Sequence, residues 1–366
     1  MELKAARIAK WAKGKPRPPV RIEMHPTNRC NLKCLFCWRS AEKNPDYSLE
    51  LPDEKLYAIV NEAAGMGVKE WIISGGGEPM VRKTATLRVL RLIKQHGMWG
   101  QLTTNGALFS ELDAKTVVEI GWDQLQISLD APDAKTHDYL RTVEGTFERA
   151  TRTAGWLSKY KRELGSKEPY LGFNSIITRF SYGRMDDMIR LAHDVGFQLV
   201  YFEPVYGGYL SGVRLELNEQ ETEELPRHAK RAKQLADRLG VATNADRFVR
   251  SELVDKSSFD HVVLRETEKS GNPFIAAPCY QPWYLMGIKG CGLAGCCSTF
   301  EVGERVQDKT LADIWYGDLF NRMRQEMLSK ELPDYCKKCS VVVVMDNKEI
   351  RKLLKKKLST LGILRH

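Results

Sequence analysis

Residues 68–106 read VKEWIISGGGEPMVRKTATLRVLRLIKQHGMWGQLTTNG and contain one complete strand–helix–strand unit. The apolar runs at 68–74 and 99–104 are short and carry branched or aromatic residues, which predicts two strands. Residues 84–97 carry apolar side chains at helical spacing, which predicts a helix between them. A strand, a helix and a second strand in this order favour two parallel strands joined by an outer helix.

The same alternation continues on both sides of this unit, from residue 20 to residue 240. Six strands are predicted, at residues 20–24, 68–74, 99–104, 123–129, 170–178 and 198–205. Six long helices are predicted, at residues 52–67, 84–97, 111–121, 146–164, 185–196 and 221–240. Six units are fewer than the eight of a closed barrel. The predicted fold class is therefore α/β, a partial (β/α)6 TIM-type barrel, with an open doubly wound sheet as the alternative.

Polar motifs stand where the predicted strands end, which is where parallel α/β folds place their active sites. SGGGEP (74–79), TNG (104–106) and SLD (128–130) each end a strand, and Glu203 ends the sixth. A cysteine-rich loop follows the first strand. Five such positions on one edge predict a functional site at the carboxyl ends of the strands.

Composition limits the class of protein. The chain has 366 residues, of which 43% are apolar, and contains no run of about eighteen apolar residues that could span a bilayer. Its N-terminal segment lacks the apolar core of a secretory signal, so a reducing cytoplasm is expected. Nine cysteines in that compartment favour metal binding or catalysis over disulfides.

Positive charge is concentrated at the two ends of the chain. The formal net charge is +9, to which residues 1–22 contribute +6, residues 336–366 contribute +7 and the body between them −4. A mildly acidic body argues against nucleic acid as its partner and moves the partner question to the two ends.

The loop after the first strand reads HPTNRCNLKCLFCWRS (25–40) and places Cys30, Cys34 and Cys37 within eight residues. A structural zinc site closes with four ligands, and iron–sulfur clusters are also normally held by four thiolates. Three cysteines therefore leave one coordination position open for a substrate or a cofactor. A zinc site completed by His25 is the alternative.

The spacing Cys30-x3-Cys34-x2-Cys37, with Phe36 before the last cysteine, resembles the signature of the radical S-adenosylmethionine (radical SAM) superfamily. The resemblance implies that the three thiolates hold a [4Fe–4S] cluster, whose fourth iron is chelated by S-adenosylmethionine. It also implies cleavage of that cofactor to a 5′-deoxyadenosyl radical, which abstracts a hydrogen atom from an unactivated carbon. The remaining motifs follow in the family's order along residues 22–205.

The resemblance assigns contacts with S-adenosylmethionine to further residues. Glu78 and the glycines before it resemble the GGE motif at the methionine amino group, and Arg141 resembles the arginine at its carboxylate. Ser128 and Asp130 resemble the polar pair at the ribose, and Phe36 is expected near the adenine. The alternatives are a tight turn for the glycines, a helix cap for Ser128 and Asp130, and a surface position for Arg141. The cofactor-binding candidates are Phe36, Gly76, Gly77, Glu78, Asn105, Ser128, Asp130, Arg141 and Asn174.

The other six cysteines lie in CYQPWYLMGIKGCGLAGCC (279–297) and YCKKC (335–339). This pattern resembles the C-terminal extensions of radical SAM enzymes called SPASM or twitch domains. The later C-x5-C-x3-C part of a full SPASM domain does not follow here, so the shorter twitch form with one auxiliary [4Fe–4S] cluster is implied. Its ligands would be Cys279, Cys297, Cys336 and Cys339. A structural zinc site is the alternative.

Cys291 and Cys296 are left over by this assignment. They are either inert thiols or candidate hydrogen-atom donors to a substrate radical, as in radical SAM epimerases. A cluster closed by four thiolates suits electron transfer. We therefore expect oxidation, with the auxiliary cluster as the electron acceptor.

The two basic ends have the pattern of amphipathic helices. Basic residues fill the gaps of an apolar stripe in the C-terminal segment, and the N-terminal ELKAARIAKWAKGK (2–15) is similar. Such helices either bind an anionic membrane surface or pack on the barrel with their charges in water, and a macromolecular partner is a third alternative. The C-terminal stripe consists of Ile350, Leu353, Leu354, Leu358 and Leu361.

These observations divide the chain into five predicted segments. A basic helix (1–19) precedes the radical SAM barrel (20–240), and a bridge (241–270) leads to the twitch/SPASM-like domain (271–345) and a basic tail (346–366). The expected activity is two-electron oxidation of a small molecule such as a sugar, cyclitol or lipid head group. The expected electron donor is of the flavodoxin or ferredoxin type.

Three other functions stay open. The chain could be a maturase that modifies a peptide, an epimerase with a cysteine hydrogen donor, or a non-catalytic iron–sulfur or zinc protein. Peptide-modifying relatives often carry a leader-binding domain before the barrel, and the short stretch before the first strand favours a small molecule. We expect a cytoplasmic enzyme, peripheral at the membrane if its basic ends bind there, in low-oxygen conditions.

Overall fold

A computed structural model describes residues 1–41, 46–205, 213–249, 271–297, 302–333, 336 and 341–361. Its strands are β1 Arg21–Met24, β2 Glu70–Ile73, β3 Trp99–Thr104, β4 Gln124–Ser128, β5 Tyr170–Ile177, β6 Leu199–Pro204, β7 Ala242–Thr243, β8 Leu285–Ile288, β9 Leu293–Gly295 and β10 Glu304–Arg305. Its helices are α1 Glu2–Ala12, α2 Asp53–Met66, α3 Lys83–Gln95, α4 Glu111–Glu119, α5 Ala134–Arg141, α6 Thr146–Glu163, α7 Met185–Asp194, α8 Glu219–Leu239, α9 Pro273–Ala276, α10 Leu311–Tyr316, α11 Asp318–Ser329 and α12 Val341–Thr360.

The predicted strand–helix alternation is confirmed. Each of the six predicted strands (β1–β6) and six predicted helices begins and ends within about two residues of its expected limits. The α/β fold class, with the βα units of a partial (β/α)6 TIM-type barrel, is therefore the one observed. The structure adds α5, a short helix between β4 and α6.

Local capping signals explain why these boundaries are readable from sequence. Ser110 and Asp113 form a reciprocal capping box at the start of α4, and Asn218 and Glu221 form another at the start of α8. At the end of α2, Gly67 adopts the left-handed conformation, with φ of +89°, that a helix C-terminus favours.

The chain divides into two compact units. The first unit consists of Met1–Met24, Leu51–Ile72 and Asp255–His366, and the second of His25–Glu50 and Ile73–Val254. This division differs from the linear segments of the sequence analysis, which stay predictions. Its physical reason is that the first βα unit contacts the C-terminal residues: β8 pairs in parallel with β1, and the Leu311 N–H donates to Glu62.

In the second unit, β3 to β7 are parallel and lie side by side in sequence order. Their register places Ser128 beside Asn174, and Ile176 beside Glu203. Trp122, Phe173 and Phe202 are among its buried core residues. The polar ends of these strands therefore line one edge, as predicted.

In the first unit the strand order is β10–β9–β8–β1–β2. The parallel pair runs from Arg21 opposite Leu285 to Met24 opposite Ile288, whereas β9 is antiparallel to β8 and to β10. The Trp315 indole donates to the Arg17 carbonyl at 2.8 Å, which ties α10 to the segment before β1.

The two basic ends pack together in the first unit. Helix α12 lies against α1, and Ile350, Leu354 and Leu358 are 0% exposed in a core cluster that also contains Ile8. Leu361, by contrast, is 42% exposed. The main apolar face that the sequence analysis offered to a membrane is thus covered by the protein's own core, and the packed alternative is the one observed. Within the described residues, every helix is too short or too polar to cross a bilayer.

Candidate functional site

The cysteine loop is fixed at its start by the glycine turn that follows β2. The Gly77 N–H donates to the Thr27 carbonyl at 2.8 Å, and the Glu78 N–H donates to the Arg29 carbonyl at 2.9 Å. A Cβ on Gly77 would lie 1.9 Å from the Arg29 oxygen, and Gly76 has a φ of +59°. Only glycine allows this approach, so the glycines that were assigned to S-adenosylmethionine also position the loop.

The Glu78 carboxylate is buried and points into the protein. It accepts hydrogen bonds from Thr104 Oγ1 at 2.6 Å, from the Asn105 N–H at 2.7 Å and from the Met80 N–H at 3.0 Å. Burial raises the pKa of Glu78, and these hydrogen bonds oppose the shift. The carboxylate joins the turns after β2 and β3. Three hydrogen bonds leave acceptor capacity on Oε2, so the contact of Glu78 with the methionine amino group stays a prediction.

Asn105 connects the turn after β3 to the cysteine loop. Its Nδ2 donates to Asn31 Oδ1 at 2.8 Å, and its own Oδ1 accepts from the Ala107 N–H at 2.9 Å. The sequence analysis expected Asn105 to line a cofactor pocket, and it did not single out Asn31. The one sequence signal for Asn31 is its place between Cys30 and Cys34.

Asp130 forms a buried ion pair with Arg141. The Arg141 Nε donates to Asp130 Oδ2 at 2.6 Å, and Asp130 Oδ1 accepts from the Ile176 N–H at 3.1 Å. Asp130 is 0% exposed. Both carboxylate oxygens are thus occupied by protein donors. Each oxygen keeps a second lone pair, so ribose binding by the Asp130 side chain stays a prediction.

Arg141 lies beside the cysteine loop. Its Nη1 is 3.7 Å from Cys34 Sγ, and its guanidinium lies 5.1 Å from the centre of the Phe36 ring. Burial disfavours the charged form, but the charges of Asp130 and Cys34 outweigh it and raise the pKa of Arg141. Arg141 is therefore a fixed buried cation, and the surface alternative is excluded.

His137 is a member of this network that sequence reasoning missed. The Asp130 N–H donates to His137 Nδ1 at 3.2 Å. Burial, with the nearby Arg141 charge, lowers the pKa of His137 to about 4. The ring is therefore neutral near pH 7, with its proton on Nε2. Its only sequence signal is its place in the HDYLR stretch before Arg141.

Ser128 and Asn174 lie side by side at the ends of β4 and β5. The Asn174 Oδ1 atom is buried and has no hydrogen-bond partner within the described parts of the chain. A buried acceptor without a donor costs about 1–3 kcal/mol. This orphaned oxygen therefore fits a donor from a ligand, such as a ribose hydroxyl.

The three loop thiols share one electrostatic environment. Cys34 is buried, Cys37 is half-buried and Cys30 is exposed. Burial raises the pKa of Cys34 to about 11, opposed by Arg141 and reinforced by Asp130, Cys37 and Cys30. Across the described ranges, no three Cys, His, Asp or Glu side chains surround a position for a single metal ion. In a four-iron cluster each thiolate binds its own iron, and three thiolates within eight residues fit such a cluster with one iron left for a further ligand.

The second cysteine set lies in the first unit. Cys279, Cys297 and Cys336 pack against one core cluster although they come from two separate stretches, 279–297 and 335–339. Burial and the charges of the other two thiols raise the pKa of Cys336 to about 12, and burial raises that of Cys279 to about 11. The structure thus brings together three of the four predicted auxiliary ligands. Cys339 lies outside the described residues.

The two leftover cysteines differ in their surroundings. Cys296 is buried, and its hydrogen bond with Cys297, together with burial, raises its pKa well above the usual range. Cys291 is half-buried, and its carbonyl accepts from Gln307 Nε2 at 3.0 Å. Hydrogen donation by either thiol stays a prediction.

Comparison with known families identifies the segment that carries the first site. The sequence model of the Radical SAM superfamily matches residues 24–176. This segment contains the cysteine loop and the residues from Phe36 to Asn174 that were predicted to bind S-adenosylmethionine.

Two curated relatives match different lengths of the chain. The Fe-coproporphyrin III synthase of Methanosarcina barkeri is 33% identical over 138 residues, which cover 38% of this chain and 33% of that protein. The PqqA peptide cyclase of Rhizobium meliloti is 24% identical over 354 residues, which cover 91% of this chain and 83% of that protein. The chain therefore spans a third of the first relative and most of the second.

A solved structure shares the fold. The crystal structure of Streptococcus suis SuiB bound to S-adenosylmethionine aligns with a TM-score of 0.64 and 20% identity, covering 92% of this chain and 75% of that one. Another crystal structure shows SuiB bound to its precursor peptide SuiA. The family match, the three-cysteine loop and the strand-end network coincide in residues 24–176, so this part of the chain is a radical SAM domain, the type of domain whose cofactors are S-adenosylmethionine and a [4Fe–4S] cluster.

Proposed function

We propose that this enzyme modifies a peptide through a substrate radical. The observation that carries the proposal is the similarity to PqqA peptide cyclase over 91% of the chain, far beyond the matched segment 24–176. SuiB, which shares the fold, has been crystallised with a precursor peptide. The proposal replaces the small molecule favoured by the sequence analysis with its peptide alternative.

Residues of the second unit would hold the first [4Fe–4S] cluster and S-adenosylmethionine. Cys30, Cys34 and Cys37 would bind the cluster, and Ser128 with the orphaned Asn174 oxygen would bind the nucleoside. When bound, this pair supplies a 5′-deoxyadenosyl radical, which removes a hydrogen atom from the substrate. The Asp130–Arg141 ion pair holds a positive charge at 3.7 Å from Cys34 and does not move a proton.

Residues of the first unit would hold the electron acceptor. Cys279, Cys297 and Cys336, with Cys339, would bind an auxiliary [4Fe–4S] cluster that supplies a one-electron oxidant. With both cofactors bound, the substrate would lose one hydrogen atom to the 5′-deoxyadenosyl radical, one proton to solvent and one electron to this acceptor, a net oxidation by two electrons. An electron donor of the flavodoxin or ferredoxin type, in a low-oxygen cytoplasm, completes the proposal.

The test uses short peptides encoded next to the gene for this enzyme. The anaerobically reconstituted enzyme, with S-adenosylmethionine and a reductant, should convert one of them to a product lighter by two hydrogens. One 5′-deoxyadenosine should form per product. If none of the peptides changes while a small molecule from the same gene neighbourhood is oxidised, the peptide proposal is wrong.

The same reaction in D2O distinguishes epimerisation from oxidation. A cysteine S–H exchanges with solvent, so an epimerised product would carry one deuterium and keep its oxidation state. We expect no deuterium at the reacting carbon. Deuterium that disappears in Cys291→Ala or Cys296→Ala would instead assign that thiol as the hydrogen donor.

A further inference from the structure

The segment that leads into Cys279 is held by one face of α12. Arg351 donates from Nε to the Ile275 carbonyl at 3.0 Å and from Nη2 to the Ala277 carbonyl at 2.8 Å. One turn earlier, Asn347 Oδ1 accepts from the Tyr280 N–H at 3.1 Å. Both α12 side chains are buried, with 3% exposure for Asn347 and 7% for Arg351. Residues 275–280 are therefore fixed to α12 by three hydrogen bonds.

Asn347 also reaches the sulfur of Cys279. The Gln281 N–H donates to the Cys279 sulfur at 3.5 Å; burial raises the pKa of this thiol, and hydrogen bonding by Asn347 and the charge of Arg351 oppose that rise. Because Asn347 Oδ1 accepts from Tyr280, the Nδ2 amide is the group that can donate to the sulfur. Hydrogen bonds to ligand sulfurs orient them and tune the potential of iron–sulfur clusters.

Packing gives α12 a fixed position from which to act. Ile350, Leu354 and Leu358 follow the same face of the helix and are fully buried in the core cluster against which Cys279, Cys297 and Cys336 pack. Asn347 and Arg351 are four residues apart and so project from neighbouring turns. Their positions are thus set by the same core that surrounds the three thiols.

We propose that Asn347 and Arg351 are positioning residues of the auxiliary cluster site, with Asn347 donating a hydrogen bond to Cys279. Arg351 holds the backbone before that cysteine. The inference rests on the proposed function, because it concerns the auxiliary cluster proposed there. It also makes helix α12 part of this site rather than a separate tail.

The experiment starts from a Cys30→Ala/Cys34→Ala/Cys37→Ala parent, so that the iron measured belongs to the auxiliary site. This parent should hold about four irons after anaerobic reconstitution. In it, Asn347→Asp keeps the size of the side chain and the acceptor for Tyr280, but it places a carboxylate beside the thiolate. We expect loss of at least about half of the iron and a lower reduction potential for the remainder. Lys352→Ala, on the exposed side of the same helix, is the matched control and should keep the parent's iron.

Two further variants keep the outcome decisive. Asn347→Asp with Cys30, Cys34 and Cys37 intact should keep the circular dichroism of the unmodified chain, which shows that the variant is folded. Asn347→Ser keeps a hydroxyl that can donate to the sulfur and should retain an intermediate amount of iron even if the Asp variant does not fold. Iron content and potential equal to the parent's in both Asn347 variants would overturn the inference. A parent without iron would instead overturn the auxiliary cluster of the proposed function.

Discussion

The two cysteine sites of this chain differ in where their thiols come from in the sequence and in the contacts that hold them. The loop site takes three thiols from eight consecutive residues and is braced by polar contacts from the turns after β2 and β3. The auxiliary site takes Cys279 and Cys297 from one stretch and Cys336 from a later one, and all three pack against an apolar core. The loop site thus depends mainly on hydrogen bonds from neighbouring turns, whereas the auxiliary site combines three hydrogen bonds from α12 with packing between segments far apart in the chain.

Two buried cations, one in each unit, also differ. Arg141 has the Asp130 carboxylate as its counter-ion at 2.6 Å. Arg324 in the first unit has no carboxylate partner among the described residues and lies between Trp11 and Trp315, 4.2 and 4.7 Å from their ring centres. It donates instead to the Pro282 and Trp315 carbonyls. Burial lowers the pKa of Arg324 to about 9, so it is still charged near pH 7.

The largest expected effect separates the two sites by function. Replacing Cys30, Cys34 and Cys37 with Ala should abolish 5′-deoxyadenosine formation and reduce the iron from about eight to about four per chain. Replacing Cys279 and Cys336 with Ala should remove a similar amount of iron and leave cleavage of S-adenosylmethionine intact. Iron analysis and chromatography of the nucleoside measure both. Cleavage by the triple variant would show that the loop is not the cofactor site.

The second effect tests the polar bracing of the loop site. Asp130→Asn leaves the buried Arg141 cation without its counter-ion, so the free energy of unfolding should fall by about 3–5 kcal/mol. Asp194→Asn is the matched control, because its pair with His193 is exposed and should change stability by less than about 0.5 kcal/mol. Urea unfolding of the metal-free variants measures both. An equal loss in the two variants would mean that the buried pair does not stabilise the fold.

The third effect tests the apolar packing around the auxiliary site. Leu354→Ala empties a fully buried position on α12 and should lower the free energy of unfolding by about 2–5 kcal/mol. Leu361→Ala, at a position that is 42% exposed, should change it by less than about 0.5 kcal/mol. Similar small losses in both variants would indicate that α12 detaches from the core, which would return its apolar face to a membrane or a partner.

Sequence could predict the barrel strands and the cysteine loop because their signals are local. Helix caps, strand periodicity and the C-x3-C-x2-C spacing each occupy a few neighbouring residues. The pairing of β8 with β1 joins residues more than 260 positions apart, and no local pattern reports it. The roles of Asp130 and Asn347 were unreadable for the same reason: side-chain polarity indicates a polar contact but not which partner tertiary structure supplies.

The smallest expected effect is a dependence of stability on pH, because the loop site contains a buried neutral histidine. The pKa of His137 is lowered from 6.5 to about 4 in the folded chain. Between these values the unfolded chain binds more protons than the folded one, so stability falls as the pH drops from about 6.5 towards 4. From pH 7.5 to pH 5 this group alone should lower the free energy of unfolding by about 2 kcal/mol.

The variant His137→Gln keeps an acceptor for the Asp130 N–H and removes the titration. The variant also loses the contact between the His137 and Phe147 rings, whose centres are 6.0 Å apart. That loss shifts the free energy of unfolding equally at every pH, so the decisive quantity is the slope of this free energy against pH. Urea unfolding of metal-free protein should show a shallower loss in the variant, and equal slopes would contradict a buried neutral His137.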